Sequence, residues 1–380
     1  MENTDISKKG IKFAFLPVEI RLILRDLLLF LNYLNMQFAN LFIRPLKRNE
    51  AERLKEEIKN GNIKRVLIIR NDQIGDAIIS LKLINALKYY FKDTYVLCSD
   101  KNEFILKETR DIKLVKMDEI KNSSIVFDLI LDLNSLFATE KSIKAKYKVG
   151  INKGILSFFY SNFSLFNLSQ SKMQVVDFYL NFISSTLGIE LEIDDSPPSD
   201  FKKEKKNQIF ILVGNKPNRN LPYEKWKELI LLSANKNKTI IADDPDQRIM
   251  NKLSQDKDII ENKNIELIVG PKQFKELAKI ANDLKLFIAL DGGAEHYLER
   301  YTNALIIYTC GFPSNWKPFS LNEYVIHYLE GDHILEETTT SAGLKKYVLY
   351  RVKQRKPCYD LICDYNKFKD IDFNIIKKIL

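Results

Sequence analysis

Two short polar runs hold most of the residues in this sequence that could do chemistry. In RNDQIGD, Gly75 permits a tight turn and Asp76 stands where a helix would begin, a place for a carboxylate that takes a proton or caps the helix. In DGGAEH, Asp291 precedes Gly292 and Gly293, and His296 follows them. Adjacent glycines leave backbone N–H groups uncovered, as close approach to a phosphate requires. Each run also has a plainer reading. Aspartate is a preferred cap, glycines serve bare turns, and a lone histidine is more often a structural hydrogen-bonder than a base or a ligand.

The elements that must position these runs repeat. RVLIIRNDQIGDAIISLKLINALKYYF at 65–91 and LKLFIALDGGAEHYLERYTNALIIYT at 284–309 each carry an apolar run, a glycine-containing turn and then a helix-periodic pattern. Each is a strand, loop, helix unit. The first turn of such a helix presents unpaired N–H groups and the positive end of the macrodipole, so each junction offers an anion site.

Alternation extends on both sides of these units. VLIIR, TYVLC, FDLILDL and KYKVGI, separated by helical patterns, predict a parallel sheet with helices on its faces. The polar, proline-containing run DDSPPSDFKKEKK at 194–206 reads as a linker, after which QIFILV, TIIA, IELIVG, LKLFIAL and ALIIYT restart the pattern. The expected class is α/β, with two doubly wound Rossmann-like domains facing a cleft and an N-terminal helical extension. The expected divisions are an extension at 1–60, a first domain at 61–195, a linker at 196–206 and a second domain at 207–380 that ends in a helix. Ligands of such sheets sit beyond the carboxyl ends of the strands.

Within residues 1–60, Pro17 suits a helix start, and Ile20, Ile23, Leu24, Leu27, Leu31, Leu34, Phe38 and Leu41 recur at steps of three and four. Arg25, Asp26 and several amides make a poor spanning helix but a suitable one for lying in a membrane interface. Lys8, Lys9, Lys12, Arg44, Lys47 and Arg48 flank it and favour anionic lipid. The competing reading is a helical hairpin, completed by EAERLKEEIKNGN, that packs on the protein or on a second copy.

The 380 residues carry a net charge of +9, with 45% hydrophobic and 29% charged residues, so the chain folds and suits an acidic partner. Charge alone does not choose among nucleic acid, membrane and phosphorylated substrates. No base-stacking motif or basic recognition helix is present, so no nucleic-acid partner is expected. No GxGxxG follows a strand, which counts against a dinucleotide-dependent oxidoreductase. Cys98, Cys310, Cys358 and Cys363 are sparse, and with no leader pattern a reducing cytoplasm is expected. Cys358 and Cys363 are spaced as a local pair, but with three histidines in the chain further ligands are scarce, and no metal is expected.

Taken together, the GD after the first strand, GNKPNRNLPYEKWKEL at 214–229, DGGAEH at 291–296, GFPSNWKPF at 311–319 and PCYDLICDYNKF near the C-terminus resemble glycosyltransferase family nine, the lipopolysaccharide heptosyltransferases. The resemblance runs from about residue 64 to the end and leaves the extension outside it. It implies a GT-B fold with an acceptor domain followed by a donor domain. The implied reaction is inverting, metal-independent transfer of heptose from ADP-heptose to the lipopolysaccharide core or a related glycolipid. The implied location is the cytoplasm, peripheral on the inner face of the inner membrane, with no cofactor beyond the nucleotide sugar itself.

By motif, Asp76 matches the family's catalytic aspartate, and Arg219 matches a basic residue, commonly lysine, on the donor diphosphate. Asp291, Gly292, Gly293 and His296 match its D(S/T)GxxH donor signature. Asp246, in ADDPDQR, is a weaker match to a ribose-contacting acid. Gly292 replaces the usual hydroxyl residue, and arginine replaces lysine at 219, keeping the charge and adding a planar fork suited to phosphate. A catalytically silent sugar-nucleotide-binding protein of the same fold, and a transferase using another nucleotide sugar, are the alternatives.

Overall fold

The structure is a computed structural model that describes residues 18–70, 74–134, 143–165, 173–191, 198, 200–214, 220–243, 248–270, 273–309, 325–330, 332–340, 342–351 and 371–380. The chain divides into two compact units, one of residues 26–195 and one of residues 196–380 together with 1–25.

The first unit is built on six strands, β1 (Arg65–Ile69), β2 (Asp93–Leu97), β3 (Lys113–Val115), β4 (Phe127–Asp132), β5 (Ala145–Gly150) and β6 (Asn162–Phe163). They lie in the order β3-β2-β1-β4-β5-β6, and every pairing is parallel. Strand order reverses between β1 and β4, which places a ligand crevice at the carboxyl ends of those two strands. The helix Ile74–Tyr90 that follows β1 buries Ala77, Ile78, Leu81, Ile84 and Leu87 among others, because it is covered on several faces, by the helix Val175–Leu187 among them. A helix apolar on most of its surface is stable only when enclosed in this way. Gly188, at φ 71°, closes the second of these helices in the left-handed conformation that glycine adopts without strain.

The N-terminal segment runs as one helical path: an α-helix Val18–Phe38, a π-turn Ala39–Ile43 and an α-helix Arg44–Lys59. Pro45 cannot donate to the carbonyl of Leu41, so the regular ladder is interrupted at this point, where the π geometry occurs. From the π-turn onward the segment docks on the first unit: Ala39 and Ile43 bury against Tyr160 and Phe163, and Glu57 pairs with Lys146 at 2.6 Å. Most of the residues expected to form its apolar stripe stay exposed, among them Ile23 (66%) and Leu41 (68%), whereas Leu24 is partly buried. Among the described residues, no helix is long and apolar enough to cross a membrane.

The second unit holds eight strands, β7 (Lys206–Val213), β8 (Lys238–Asp243), β9 (Ile265–Ile268), β10 (Leu284–Leu290), β11 (Asn303–Ile307), β12 (Ile326–Glu330), β13 (His333–Thr339) and β14 (Lys345–Arg351). Their order is β12-β13-β14-β11-β10-β7-β8-β9. The pairings from β14 to β9 are parallel, whereas β12-β13 and β13-β14 are antiparallel, a hairpin extension absent from the sequence expectation. Here the order reverses between β7 and β10. The core joins Ile211, Val213, Trp226, Ile288 and Leu349 to Phe373 and Ile376 near the C-terminus, each large apolar side chain contributing about 1.5–3 kcal/mol on full burial. Near the C-terminus the described residues include a 3₁₀ turn, Asn374–Ile376, and residues 352–370 before it lie outside the described residues.

Candidate functional site

Both chemistry-bearing runs fall at the carboxyl ends of strands that flank a reversal of strand order. In the first unit β1 ends at Ile69, and the helix Ile74–Tyr90 places Asp76 in its first turn, as the third helical residue. Arg70, one residue beyond the strand, is fully buried. Its Nε and Nη2 donate to the Asp76 carbonyl at 3.1 and 3.0 Å, Nη2 lies 3.3 Å from Asp76 Oδ1, and Nη1 donates to the Leu133 carbonyl at 2.8 Å. The guanidinium also stacks over the Tyr179 ring, 5.3 Å from its centroid. Arg70 therefore ties the helix start to the end of β4 and fixes the Asp76 side chain. With its side chain 22% exposed, Asp76 is held from behind and reachable from solvent.

The end of β4 contributes a second polar group. Asp132 is fully buried, accepts from the Tyr160 hydroxyl at 2.6 Å and the Asn134 N–H at 3.0 Å, and pairs with Lys153. A buried carboxylate needs such partners, because desolvation of an unpaired charge costs several kcal/mol. Neither Arg70 nor this Asp132 cluster was singled out in the sequence. Arg70 closes a strand motif, and its neighbour Leu133 lies 63 residues away.

In the second unit β10 ends at Leu290, and Asp291, Gly292 and the short helix Gly293–Leu298 follow. Asp291 and His296 are 7% and 8% exposed, and Glu295 is fully buried. Glu295 Oε2 accepts the Gly292 N–H at 2.7 Å, and its Oε1 lies 2.9 Å from His296 Nδ1. Burial pushes the Glu295 carboxyl up to about 7 against the pull of His296. Burial alone would lower the His296 imidazole, but Glu295 and then Asp291 outweigh it and raise the group to about 9. The acids around His296 thus favour its protonated form. Glu295 is not among the residues singled out in the sequence, although glutamate three residues after the cap position is the usual signal for this reach back to the backbone.

Behind this turn the buried charges are paired. Lys346 meets Glu299 Oε2 at 2.9 Å, and the Tyr350 hydroxyl donates to Glu336 Oε1 at 2.6 Å. The ligand atoms of Asp291, Glu295 and His296 lie within 4.8 Å of one another, so these three could hold a cation. Glu295 and His296, however, already spend donors and acceptors on each other and on Gly292. Arg219 and Asp246 lie outside the described residues, as do GFPSNWKPF, Cys310, Cys358 and Cys363. Asp76 belongs to one unit, and Asp291, Gly292, Gly293 and His296 are brought together in the other.

Residues 142–332, half of the chain, match the sequence profile of glycosyltransferase family 9 (heptosyltransferase). The chain belongs to glycosyltransferase family 9. Its fold resembles solved structures of that family at low sequence identity. A family 9 glycosyltransferase from Veillonella parvula is 17% identical with a TM-score of 0.53, over 67% of this chain and 84% of that one. The heptosyltransferase WaaC of E. coli, solved with ADP, is 14% identical with a TM-score of 0.52, over 68% and 94%. The ADP-heptose heptosyltransferase II of E. coli is 14% identical with a TM-score of 0.51, over 70% and 91%. No curated protein matches the chain in sequence. As a member of family 9 the chain has the GT-B type of fold, in which β1 to β6 and β7 to β14 form its two Rossmann-like units and the helix Val18–Phe38 precedes them. The family 9 profile starts at residue 142, so the Asp76 turn lies before the matched region and the Asp291 turn within it.

Proposed function

We propose that this family 9 transferase moves a sugar, most simply heptose from ADP-heptose, onto a lipopolysaccharide core or related glycolipid, with inversion at the anomeric carbon. The observation that carries the proposal is the placement of Asp76 and of Asp291 to His296 at the two strand-order reversals of a family 9 chain. The similar E. coli protein WaaC is solved both with ADP and with ADP-2-deoxy-2-fluoro heptose, which supports the choice of donor.

In this reading the acceptor hydroxyl attacks the anomeric carbon, and the bond from that carbon to the diphosphate oxygen breaks. The hydroxyl proton passes to Asp76, and the departing electron pair leaves on ADP. Arg70 contributes by fixing the Asp76 side chain. Negative charge growing on the diphosphate is met by Arg219 and by N–H groups at the Gly292–Gly293 turn. The Gly292 N–H already serves Glu295, so the donor at this turn falls to Gly293. The arrangement supplies its own cation, so transfer should survive a chelator.

The occupied Gly292 N–H and the missing hydroxyl at 292 favour one second reading, a sugar-nucleotide binder without turnover. A panel of ADP-heptose against UDP-, GDP- and dTDP-sugars, scored for binding and for transfer, separates the two. ADP-heptose should bind best and be transferred, with or without chelator. Binding without transfer to any glycolipid acceptor would favour the silent reading, and preference for another nucleotide would replace the donor.

A further inference from the structure

A cavity of about 420 Å³ opens in the first unit between the helix Arg44–Lys59 and the chain around β6, and its lining includes neither Arg70 nor Asp76. Four cations line it, Arg44, Lys47, Arg48 and Lys55, against one carboxylate, Glu52. Arg44 lies over the Phe163 ring at 4.7 Å, and its Nη2 donates to the Phe163 carbonyl at 2.6 Å. Its Nε is buried with no hydrogen-bond partner. Lys47 is paired with Glu50 at 3.2 Å, and Lys55 is held more loosely, 3.8 Å from Glu52, with side chains 36% and 64% exposed. The cavity thus offers an unspent donor of Arg44 beside a loosely held Lys55, and an acceptor-rich anion such as a phosphate is the chemistry that satisfies them.

An apolar face adjoins this cavity. Along the helix before it Phe30, Leu31 and Phe42 are more than half exposed, and Leu46 is 74% exposed beside Lys47. The 3₁₀ helix Gly154–Phe159 adds Ile155 and Phe158 to the exposed set. The two segments are joined: Asn35 Oδ1 accepts the Ile155 N–H at 3.0 Å, and Lys47 Nζ sits 5.2 Å from the Phe158 ring centroid. A soluble monomer rarely leaves so much contiguous apolar surface bare. Self-association through a two-fold axis would set this basic rim near its own copy, like charge against like. A bilayer with anionic headgroups satisfies both the apolar face and the cations.

We propose that the cavity holds the phosphate headgroup of an anionic phospholipid whose acyl chains lie against the exposed face from Leu27 to Leu46. This rests on the reading of the acceptor as a membrane glycolipid, and adds to it a defined headgroup site whose cations lie on a segment outside the family 9 match.

The test is flotation of the full chain with vesicles of equimolar phosphatidylglycerol and phosphatidylcholine, and with phosphatidylcholine alone. The protein should partition onto the anionic vesicles. Arg48→Glu with Lys55→Glu should reduce that partitioning at least about tenfold, since each basic residue near such a surface contributes about a fivefold gain. Leu41→Ser with Leu46→Ser should weaken partitioning onto both vesicles. Lys101→Glu with Lys121→Glu, the same charge change after β2 and β3 towards the other edge of the sheet, should have a much smaller effect, and excess inorganic phosphate should not release the protein. Circular dichroism confirms that each variant is folded. Equal losses from the two charge reversals, wild-type flotation of the Arg48→Glu, Lys55→Glu protein, or release by inorganic phosphate would overturn the headgroup site. So would a dimer in solution that Leu41→Ser with Leu46→Ser converts to monomer. Donor binding by the same variants should be unchanged. If flotation behaves as proposed while no glycolipid is glycosylated, the lipid site stands and the transferase reading fails.

Discussion

The junction after β1 and the junction after β10 share one arrangement, a buried strand followed closely by a helix at a reversal of strand order, yet they dispose their acids in opposite ways. Asp76 is partly exposed and fixed by an arginine buried beneath it. Asp291, Glu295 and His296 are turned inward and spend their charges on one another. Exposure, more than residue type, assigns the chemistry. A reachable carboxylate can take a proton from a substrate, whereas an enclosed acid and imidazolium form a fixed electrostatic background that needs no reorganisation during reaction.

The largest effect should come from removing the reachable acid. Asp76→Ala should lower transfer by about 10² to 10⁴, while a first-turn acid contributes only about 1 kcal/mol to its helix. Thermal unfolding and a transfer assay on the same protein separate these. A comparable loss of folding would make Asp76 a structural residue and dissolve the contrast.

Arg219→Ala should weaken ADP-sugar binding by about 1.5–3 kcal/mol, roughly 10- to 100-fold, the usual value of a charge-assisted hydrogen bond. Calorimetry on the folded variant checks this, and unchanged affinity removes Arg219 from the donor site.

The inward-turned group should be visible in stability against pH. Its histidine is raised from 6.5 to about 9 in the folded chain, so its contribution is complete below about 6.5 and is lost as pH rises through about 9. The raised Glu295 acts in the same direction between 4.5 and about 7. Unfolding monitored from pH 6 to 10 should show the second unit losing stability, by an amount on the order of 1–3 kcal/mol, and His296→Gln should flatten the slope. A wild-type profile that rises over that window would mean the imidazole is buried neutral.

Much of this contrast was legible in the sequence, and the rest was not for identifiable reasons. VLIIR before IGDAIISL and LKLFIAL before DGGAEH announce strand, turn and helix because buried parallel strands are apolar throughout and their helices begin at once. Arg70 was invisible because its task is to reach the Asp76 backbone and a carbonyl 63 residues away. Exposure was invisible as well: Asp76 and Asp291 look alike as letters, and only packing turns one outward. The hairpin of β12 and β13 escaped notice because HILEETT carries glutamates at positions such as Glu336, which is buried and accepts from the Tyr350 hydroxyl. The N-terminal stripe, by contrast, was readable at spacing of three and four, while the cavity beneath Arg44 depends on Phe163, 119 residues further on.

The division of labour between the two turns is tested most directly by single-turnover transfer with folded Asp76→Asn and saturating ADP-heptose. Asparagine keeps the shape and an acceptor for Arg70 but cannot take a proton. The chemical step should slow by about 10² to 10⁴ with donor affinity nearly unchanged. Transfer at close to the wild-type rate would contradict that division of labour and return Asp76 to the role of an acid that steadies the start of its helix.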